Sequence, residues 1–415
     1  MVWPLLYGPC SRTGLKGELM ETFDWIVIGN GLAGAALSYE LARLGLSVLL
    51  VDDGNADSAT RCSYGGVAYW SGTDAITQEL CEQGIKRHRQ LSDELEAPTE
   101  FRELDLLLTF APDVDGSRLE KQYGQFAIAP RLISAQEAHA LEPQLKLDAI
   151  GGAFTIKHGH VNPLKTLEAF NQAFRRLGGQ QMIASVTGLV RVKNRITGIL
   201  TATQAYAAAN VAVAAGGYSR KLLNAAQLSV PLYHTHAEIM ALPQVEQSLR
   251  TLIMPAVASR FDAEATASAP ATDSLWDGPP HKIAPPILDT GVIQFLDGST
   301  YIGQISRFRT DLDTSLIDAA QSEASLRQGI TAQLPCLANL PGHWRHCLVT
   351  FSRDDLPLIG PLPDIDGVHV FSGFTSPFAM LLPVARRFAQ WVHSGQQQPS
   401  DALIEKMLVT RFTHA

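Results

Sequence analysis
The segment DWIVIGNGLAGAALSYELARLGLSVLLVDDG, starting at Asp24, constrains this chain more than any other. The apolar run Trp25 to Ile28 reads as a buried strand, Gly29-Asn30-Gly31-Leu32-Ala33-Gly34 is a GxGxxG turn that opens a helix, and a second apolar run ends in Asp52-Asp53. Together they form a βαβ unit with an acid roughly 20 residues beyond the turn, the arrangement that binds a dinucleotide. Gly29 permits the tight turn, Gly31 lets backbone approach a pyrophosphate, and Gly34 lets helix and strand pack closely. The helix N-terminus at Leu32 and Ala33 offers N–H groups and a positive dipole to phosphate. Asp52 is the candidate for the ribose hydroxyls. Asp53 is its neighbour, and strand alternation turns only one of the two toward the sugar. The unit alone leaves FAD and NAD open.

The rest of the composition narrows the setting. A chain of 415 residues exceeds what one core usually supports, so two domains are expected, side by side or interleaved. With 46% hydrophobic residues and 18% charged it is neither disordered nor collagen-like. The formal net charge of −8 argues against nucleic acid or an anionic membrane as main partner, because both reward clustered Lys and Arg. No window has the uncharged apolar length of a membrane span, so no transmembrane segment is expected. The five cysteines, Cys10, Cys62, Cys81, Cys336 and Cys347, are scattered without a CxxC, which predicts neither a disulfide framework nor a metal site and points to a reducing cytoplasm. Residues 1–19 read as an unstructured leader, with Met20 as an alternative translation start.

Further along, Asp74 to Ala97 is helix-forming, Ser134 with Glu137 has capping-box spacing, and Asn162-Pro163 starts a helix that Gly178 stops. Strands are expected at 183–192, 196–203 and from Asn210, a hairpin turn at Asp297-Gly298, and a helix over 316–334. The stretch 262–280, rich in Ala, Ser, Thr, Asp and Pro, reads as an exposed loop and a poor place for catalysis.

An ordered series of segments then carries a resemblance: the βαβ opening, SATRCSYGG, ISAQEAHALEP, HVNPLKTLEAF, VAVAAGGYS and DDLPLIGPLP with GVHVFSGF. Over nearly all of residues 23–395 the chain resembles the D-amino-acid oxidase (DAO) family of FAD-dependent oxidoreductases, which includes glycine oxidase and monomeric sarcosine oxidase. The resemblance implies an α/β plus α+β fold, with a Rossmann-like FAD-binding domain in three segments (20–80, 149–228 and 342–395). It would interleave with a substrate-binding domain (81–148 and 229–341) built on a large antiparallel sheet, leaving 396–415 as a C-terminal tail.

The same resemblance assigns site residues. Arg61 and Ser63 would be polar contacts to the flavin or its phosphates, Gly65 and Gly66 would let the loop approach the ring, and Val186 would hold the adenine through its backbone. Gly216 and Gly217 would bring backbone near the dinucleotide. In Gly373-Phe374-Thr375-Ser376, Ser376 would cap a helix whose N-terminus points at the flavin, with Pro377 at its first position and Pro383 kinking it. Cys347 stands before Asp354 at the spacing of the sarcosine oxidase cysteine that joins flavin covalently; a thioether and simple core packing are both open.

Some positions depart from the family pattern. Val349 and Thr350 stand where a carboxylate-binding Arg is common, Met380 stands at a carboxylate lysine, and Tyr301 near an oxygen-activating lysine. Arg307, Arg309, Arg345, Lys282, His234 and His236 are replacement candidates, and Tyr69, Trp70 and Tyr301 candidate pocket aromatics. The expected activity is FAD-dependent oxidation of the C–N bond of a small amine or amino acid by hydride transfer to flavin N5, followed by imine hydrolysis. Tyr301 and Arg61 are its catalytic candidates, and oxygen or another acceptor reoxidises the flavin. Loss of the lysine tilts the expectation toward a dehydrogenase. Oxidation of a 2-hydroxy acid and a non-catalytic flavin-binding role are the alternatives.

Overall fold
The computed structural model describes residues 22–257 and 259–412. The proposed leader, Met20 and Cys10 lie outside them. Among the described residues two sheets form, one of eight strands and one of nine.

In the first sheet, Thr22–Ile28 lies between Val48–Asp52 and Ala205–Val213, all parallel, and Val368–Ser372 extends the parallel set. Gln180–Ile183 adds a parallel edge beside Val48–Asp52, and Leu358–Pro361 pairs antiparallel at the other end. These strands are almost continuously apolar because both faces are covered. Trp25, Val27, Leu50 and Ala212 face helices Leu32–Arg43, Ala75–Glu94, Pro163–Arg176 and Pro377–His393. Ile26, Ile28, Leu49, Val51 and Val213 face the hairpin of strands Val186–Val192 and Arg195–Thr201. The sequence read 183–192 as one strand; it breaks after Ile183, where the chain leaves the sheet edge and turns back into the hairpin.

Local signals set the helix starts. Asp74 and Ser134 each form a complete capping box, and Asn162 accepts from the N–H groups of Leu164 and Lys165 ahead of Pro163. Pro383 lacks an N–H, so it leaves the Ala379 carbonyl without its helical donor. Gly84 of the 75–94 helix lies against that carbonyl so closely that a Cβ there would overlap it. Alongside, Arg87 donates to the Leu382 carbonyl at 2.8 Å and His88 Nε2 to the Phe378 carbonyl at 2.6 Å. Arg87 also pairs with the fully buried Glu40 and, at 2.6 Å, with Glu94. A buried charge needs such pairing.

The second sheet runs His343–Ser352, Leu232–Leu242, Thr300–Arg309, Lys282–Gln294, Leu252–Pro255, Arg102–Phe110, Gly152–His160 and Gly66–Val67, with Arg131–Ser134 beside Gly152–His160. It is antiparallel except where Leu252–Pro255 runs parallel to Arg102–Phe110. Helix Ala319–Gln333 packs on one face through Met240, Ile302 and Leu326. The opposite face presents Leu106, Ala237, Ile239, Ile293 and Cys347.

The strands cross the expected segment boundaries. Gly66–Val67, Gly152–His160 and His343–Ser352 belong to the second sheet, although 20–80, 149–228 and 342–395 were assigned to the FAD-binding part. Helix Ala75–Glu94, split by the boundary at 80, packs with the first-sheet helices through Leu80, Ile85 and Leu91. The first segment ends in the second sheet, whereas the other two begin there and pass to the first. The tail is also structured: Leu403, Ile404 and Met407 are buried, and Ile359 donates to the Met407 carbonyl at 3.0 Å. The expected loop 262–280 contains most of helix Ser259–Ala267 and a short turn at Asp273–Asp277, held by buried Trp276, whose Nε1 donates to the Ala267 carbonyl at 2.9 Å.

Candidate functional site
A cavity of about 760 Å³ lies where the C-terminal ends of the parallel strands meet the second sheet. Ligands bind at this end of an open α/β sheet because the helix N-termini converge there. The wall takes Gly29, Gly31, Leu32 and Ala33 from the glycine turn, Asp52 and Asp53 from the strand end, and Arg61 and Ser63 from the following loop. Val186, Gly216, Gly217, Cys347, Gly373, Phe374 and Thr375 complete the set of expected residues found on it.

The turn is shaped by contacts a side chain would destroy. Gly29 has φ +104 and donates to the Val51 carbonyl at 2.7 Å; a Cβ would sit 2.5 Å from the Ala214 oxygen. Gly34 is behind the wall, and its Cβ would overlap the Gly29 carbonyl oxygen. Gly31 differs: its nearest neighbour would be the Thr60 hydroxyl at 3.3 Å. That hydroxyl accepts from Leu32 N–H at 2.9 Å and so caps the helix from a distant loop. Asp52 accepts from Asn30 N–H at 2.6 Å and Gly54 N–H at 2.9 Å, fixing its carboxylate beside the turn, whereas Asp53 turns to Asn55 N–H at 3.0 Å.

The residues fit a flavin dinucleotide. Two polar wall atoms, Asn30 Oδ1 and Thr350 Oγ1, are buried without a hydrogen-bond partner, a costly state that a ligand relieves. Helix Pro377–His393 brings Pro377 and Phe378 to the wall.

Other expected residues take different positions. Gly65 and Gly66 do not reach the wall: a Cβ at Gly65 would overlap the Val161 carbonyl oxygen, and one at Gly66 would meet His158 Nε2 at 2.7 Å, so packing on strand Gly152–His160 demands them. Ser376 precedes the helix but its side chain makes no cap, and it is not on the wall. Tyr301 is also behind the wall. Its hydroxyl donates to the Arg61 carbonyl at 3.2 Å and accepts from Arg345 at 3.3 Å, which makes it a positioning residue for the loop rather than a catalytic one. Trp70 is buried with Nε1 on His158, and the Tyr69 hydroxyl is on Glu103.

The replacement cations are mostly committed. Arg307 pairs with Glu238 at 2.5 Å, and Arg309 with Asp311 at 2.9 Å. Arg345 reaches the Asp57 carboxylate at 2.8 Å and the Ala56 carbonyl at 2.7 Å. His234 and His236 donate to the Asp311 carbonyl at 3.0 and 2.8 Å. Two guanidinium groups on the wall remain available. Arg61 makes no side-chain hydrogen bond among the described residues, and Arg260 has a 3.4 Å ion pair with Glu264 and lies 4.8 Å from the centroid of the Phe261 ring. Sequence reasoning missed Arg260 because its helix was read as the edge of a loop.

Cys62 and Cys347 meet on the same wall. The Cys347 thiol lowers the pKa of Cys62, aided by Arg345 and Arg61 and opposed by burial. The Cys62 thiol, with burial, raises that of Cys347. Sequence spacing singled out only Cys347.

Comparison with known proteins identifies the class. The family described as DAO, FAD dependent oxidoreductase, matches residues 24–391, and the chain belongs to it. It is 23% identical to the uncharacterized oxidoreductase YurR of Bacillus subtilis, over 84% of this chain and 89% of that protein. It is 23% identical to glycine oxidase of Pseudomonas aeruginosa, over 91% and 96%. The crystal structure of glycine oxidase from Geobacillus kaustophilus superposes with a TM-score of 0.74 at 17% identity, covering 92% of this chain and 98% of that one. The protein is therefore an FAD-dependent oxidoreductase.

Proposed function
We propose that this oxidoreductase acts on the C–N bond of a small amine or amino acid, with a substrate carboxylate held by Arg61 and Arg260. One observation carries the reading: the wall that bears the dinucleotide turn also bears Arg61 and Arg260, of which the first makes no side-chain hydrogen bond and the second is held by a single 3.4 Å ion pair with Glu264. Buried or half-buried guanidinium forks recognise carboxylates in bidentate fashion. They replace the charge absent at Val349 and Met380.

The glycine turn, Asp52 and the wall around Thr350 would hold FAD, which when bound would supply the two-electron acceptor for a C–N oxidation. The protein's part is placement and field. The loop 56–61 is fastened by Arg345 and Tyr301, which keeps Arg61 in register with the second sheet. The positive end of helix Pro377–His393 favours negative charge developing at the wall it reaches. Apolar Ala237, Ile239 and Val349 exclude water from the reacting carbon. The imine product then hydrolyses to a carbonyl compound with ammonia or an amine. Oxygen or another acceptor completes the cycle.

The flavin is held without a covalent bond in this reading, because the Cys347 thiol stays protonated against Cys62. Among the described residues Cys62, Cys81, Cys336 and Cys347 are free thiols, which suits a reducing cytoplasm. No helix of the described residues is long and apolar enough to cross a membrane.

Turnover of an amine, amino-acid and hydroxy-acid panel, with nitrogen release measured, tests the assignment. Release of ammonia or amine is expected, with KM for carboxylate-bearing substrates raised in Arg61→Ala and Arg260→Ala. Oxidation of hydroxy acids alone, with no nitrogen released from any substrate, contradicts it.

A further inference from the structure
We propose that Cys62 and Cys347 form a dithiol site on the wall of the flavin cavity that a hydroperoxide closes to a disulfide. Cys62 belongs to the loop after strand Val48–Asp52 and Cys347 to strand His343–Ser352, so the pair bridges the dinucleotide loop and the second sheet. Both line the cavity, both are nearly buried, at 5% and 3% exposure, and both pack in one apolar cluster with Ala237, Ile239 and Tyr301. Loop and strand are tied beside them: Arg345, two residues before Cys347, donates to the carbonyl of Arg61, one residue before Cys62, at 3.3 Å.

The surroundings separate the roles. Cys62 is flanked by the Arg345 and Arg61 guanidinium groups, which favour its thiolate, so it is the sulfur that meets the oxidant first. Its sulfur displaces hydroxide from the peroxide O–O bond and becomes a sulfenic acid. Cys347 sulfur then attacks Cys62 sulfur, the S–S bond forms, and the sulfenic oxygen leaves as water with the Cys347 proton. Overall two thiols lose two electrons and two protons, and one peroxide becomes two waters. The other described cysteines lack this setting. Cys81 is pushed up to about 11 by burial, and Cys336 is raised by burial too.

The bridge would tie the loop that carries Arg61 to strand His343–Ser352 and would leave no Cys347 thiol for any bond to flavin. The site rests on the placement of the two cysteines in the cavity wall and is independent of the substrate assignment.

The test uses the full-length protein with its flavin, treated with hydrogen peroxide, alkylated under denaturing conditions and digested for mass spectrometry. The titratable thiols are expected to fall from five to three, the two lost being Cys62 and Cys347, joined in one peptide that dithiothreitol separates. In Cys347→Ser the Cys62 thiol is expected to stop at a dimedone-reactive sulfenic acid, and in Cys62→Ser Cys347 is expected to resist oxidation. Five thiols retained at peroxide doses that oxidise free cysteine would overturn the proposal. So would a disulfide with other partners, or Cys347 recovered carrying flavin mass.

Discussion
Gly31 and Gly34 lie one helical turn apart, yet substituting them should have separable effects. A Cβ at Gly34 overlaps the Gly29 carbonyl oxygen, so Gly34→Ala must push helix Leu32–Arg43 off the first sheet. Overpacking of this kind costs about 1–3 kcal/mol. At about 2.1 cal/mol/K per residue, the unfolding entropy of 415 residues is roughly 0.9 kcal/mol/K, so Tm of the apoprotein falls by about 1–3 °C. Gly31→Ala meets only the Thr60 hydroxyl at 3.3 Å, and its apoprotein Tm should stay close to that of the parent. Its methyl group instead occupies the approach of the pyrophosphate. Loss of one charge-assisted hydrogen bond, about 1.5–3 kcal/mol, weakens binding by about 10- to 150-fold. Scanning calorimetry of the apoproteins and FAD titration by fluorescence quenching measure the two effects. Unchanged FAD affinity in Gly31→Ala, with Tm intact, refutes this placement of the pyrophosphate.

Other consequences can be checked as directly. Glu40→Ala removes one of the two carboxylates that hold buried Arg87 and leaves Glu94 at 2.6 Å as its partner, so it should cost about 1–3 kcal/mol, the loss of one charge-assisted bond, and lower Tm by about 1–3 °C in calorimetry. Arg345→Ala should weaken FAD binding without changing the far-ultraviolet circular dichroism spectrum, since it frees the loop at Ala56, Asp57 and Arg61. Burial lowers the pKa of His88, His158 and His234 to about 4, so they stay neutral in the fold but take up protons when unfolded below about 6.5. The unfolded state then binds more protons. Stability should fall as pH drops from about 6.5 toward 4, by roughly 1.4 kcal/mol per pH unit for each such histidine. Urea unfolding curves that superpose at pH 7 and pH 5 contradict that.

Much of this architecture was legible because its signals are local. The GxGxxG turn, both capping boxes and the Asn162-Pro163 helix start are each decided by a few adjacent residues. Sheet membership was not legible: Gly152–His160 and His343–Ser352 are strands whose partners are fixed by chain segments far away. The same limit applies within the site. Gly65 and Gly66 looked like ligand glycines, but strand packing demands them. Tyr301 looked catalytic until its hydroxyl was found on the Arg61 carbonyl. Arg260 has no motif around it, and Cys62, though inside SATRCSYGG, meets Cys347 only through tertiary placement.

Electron transfer from a C–N bond to FAD in this cavity is read by mixing the yellow protein anaerobically with amines and amino acids and following its visible absorption. Bleaching by at least one of them, with nitrogen released in equal amount to flavin, is the predicted result. A flavin that keeps its colour with all of them and bleaches only with hydroxy acids would contradict it.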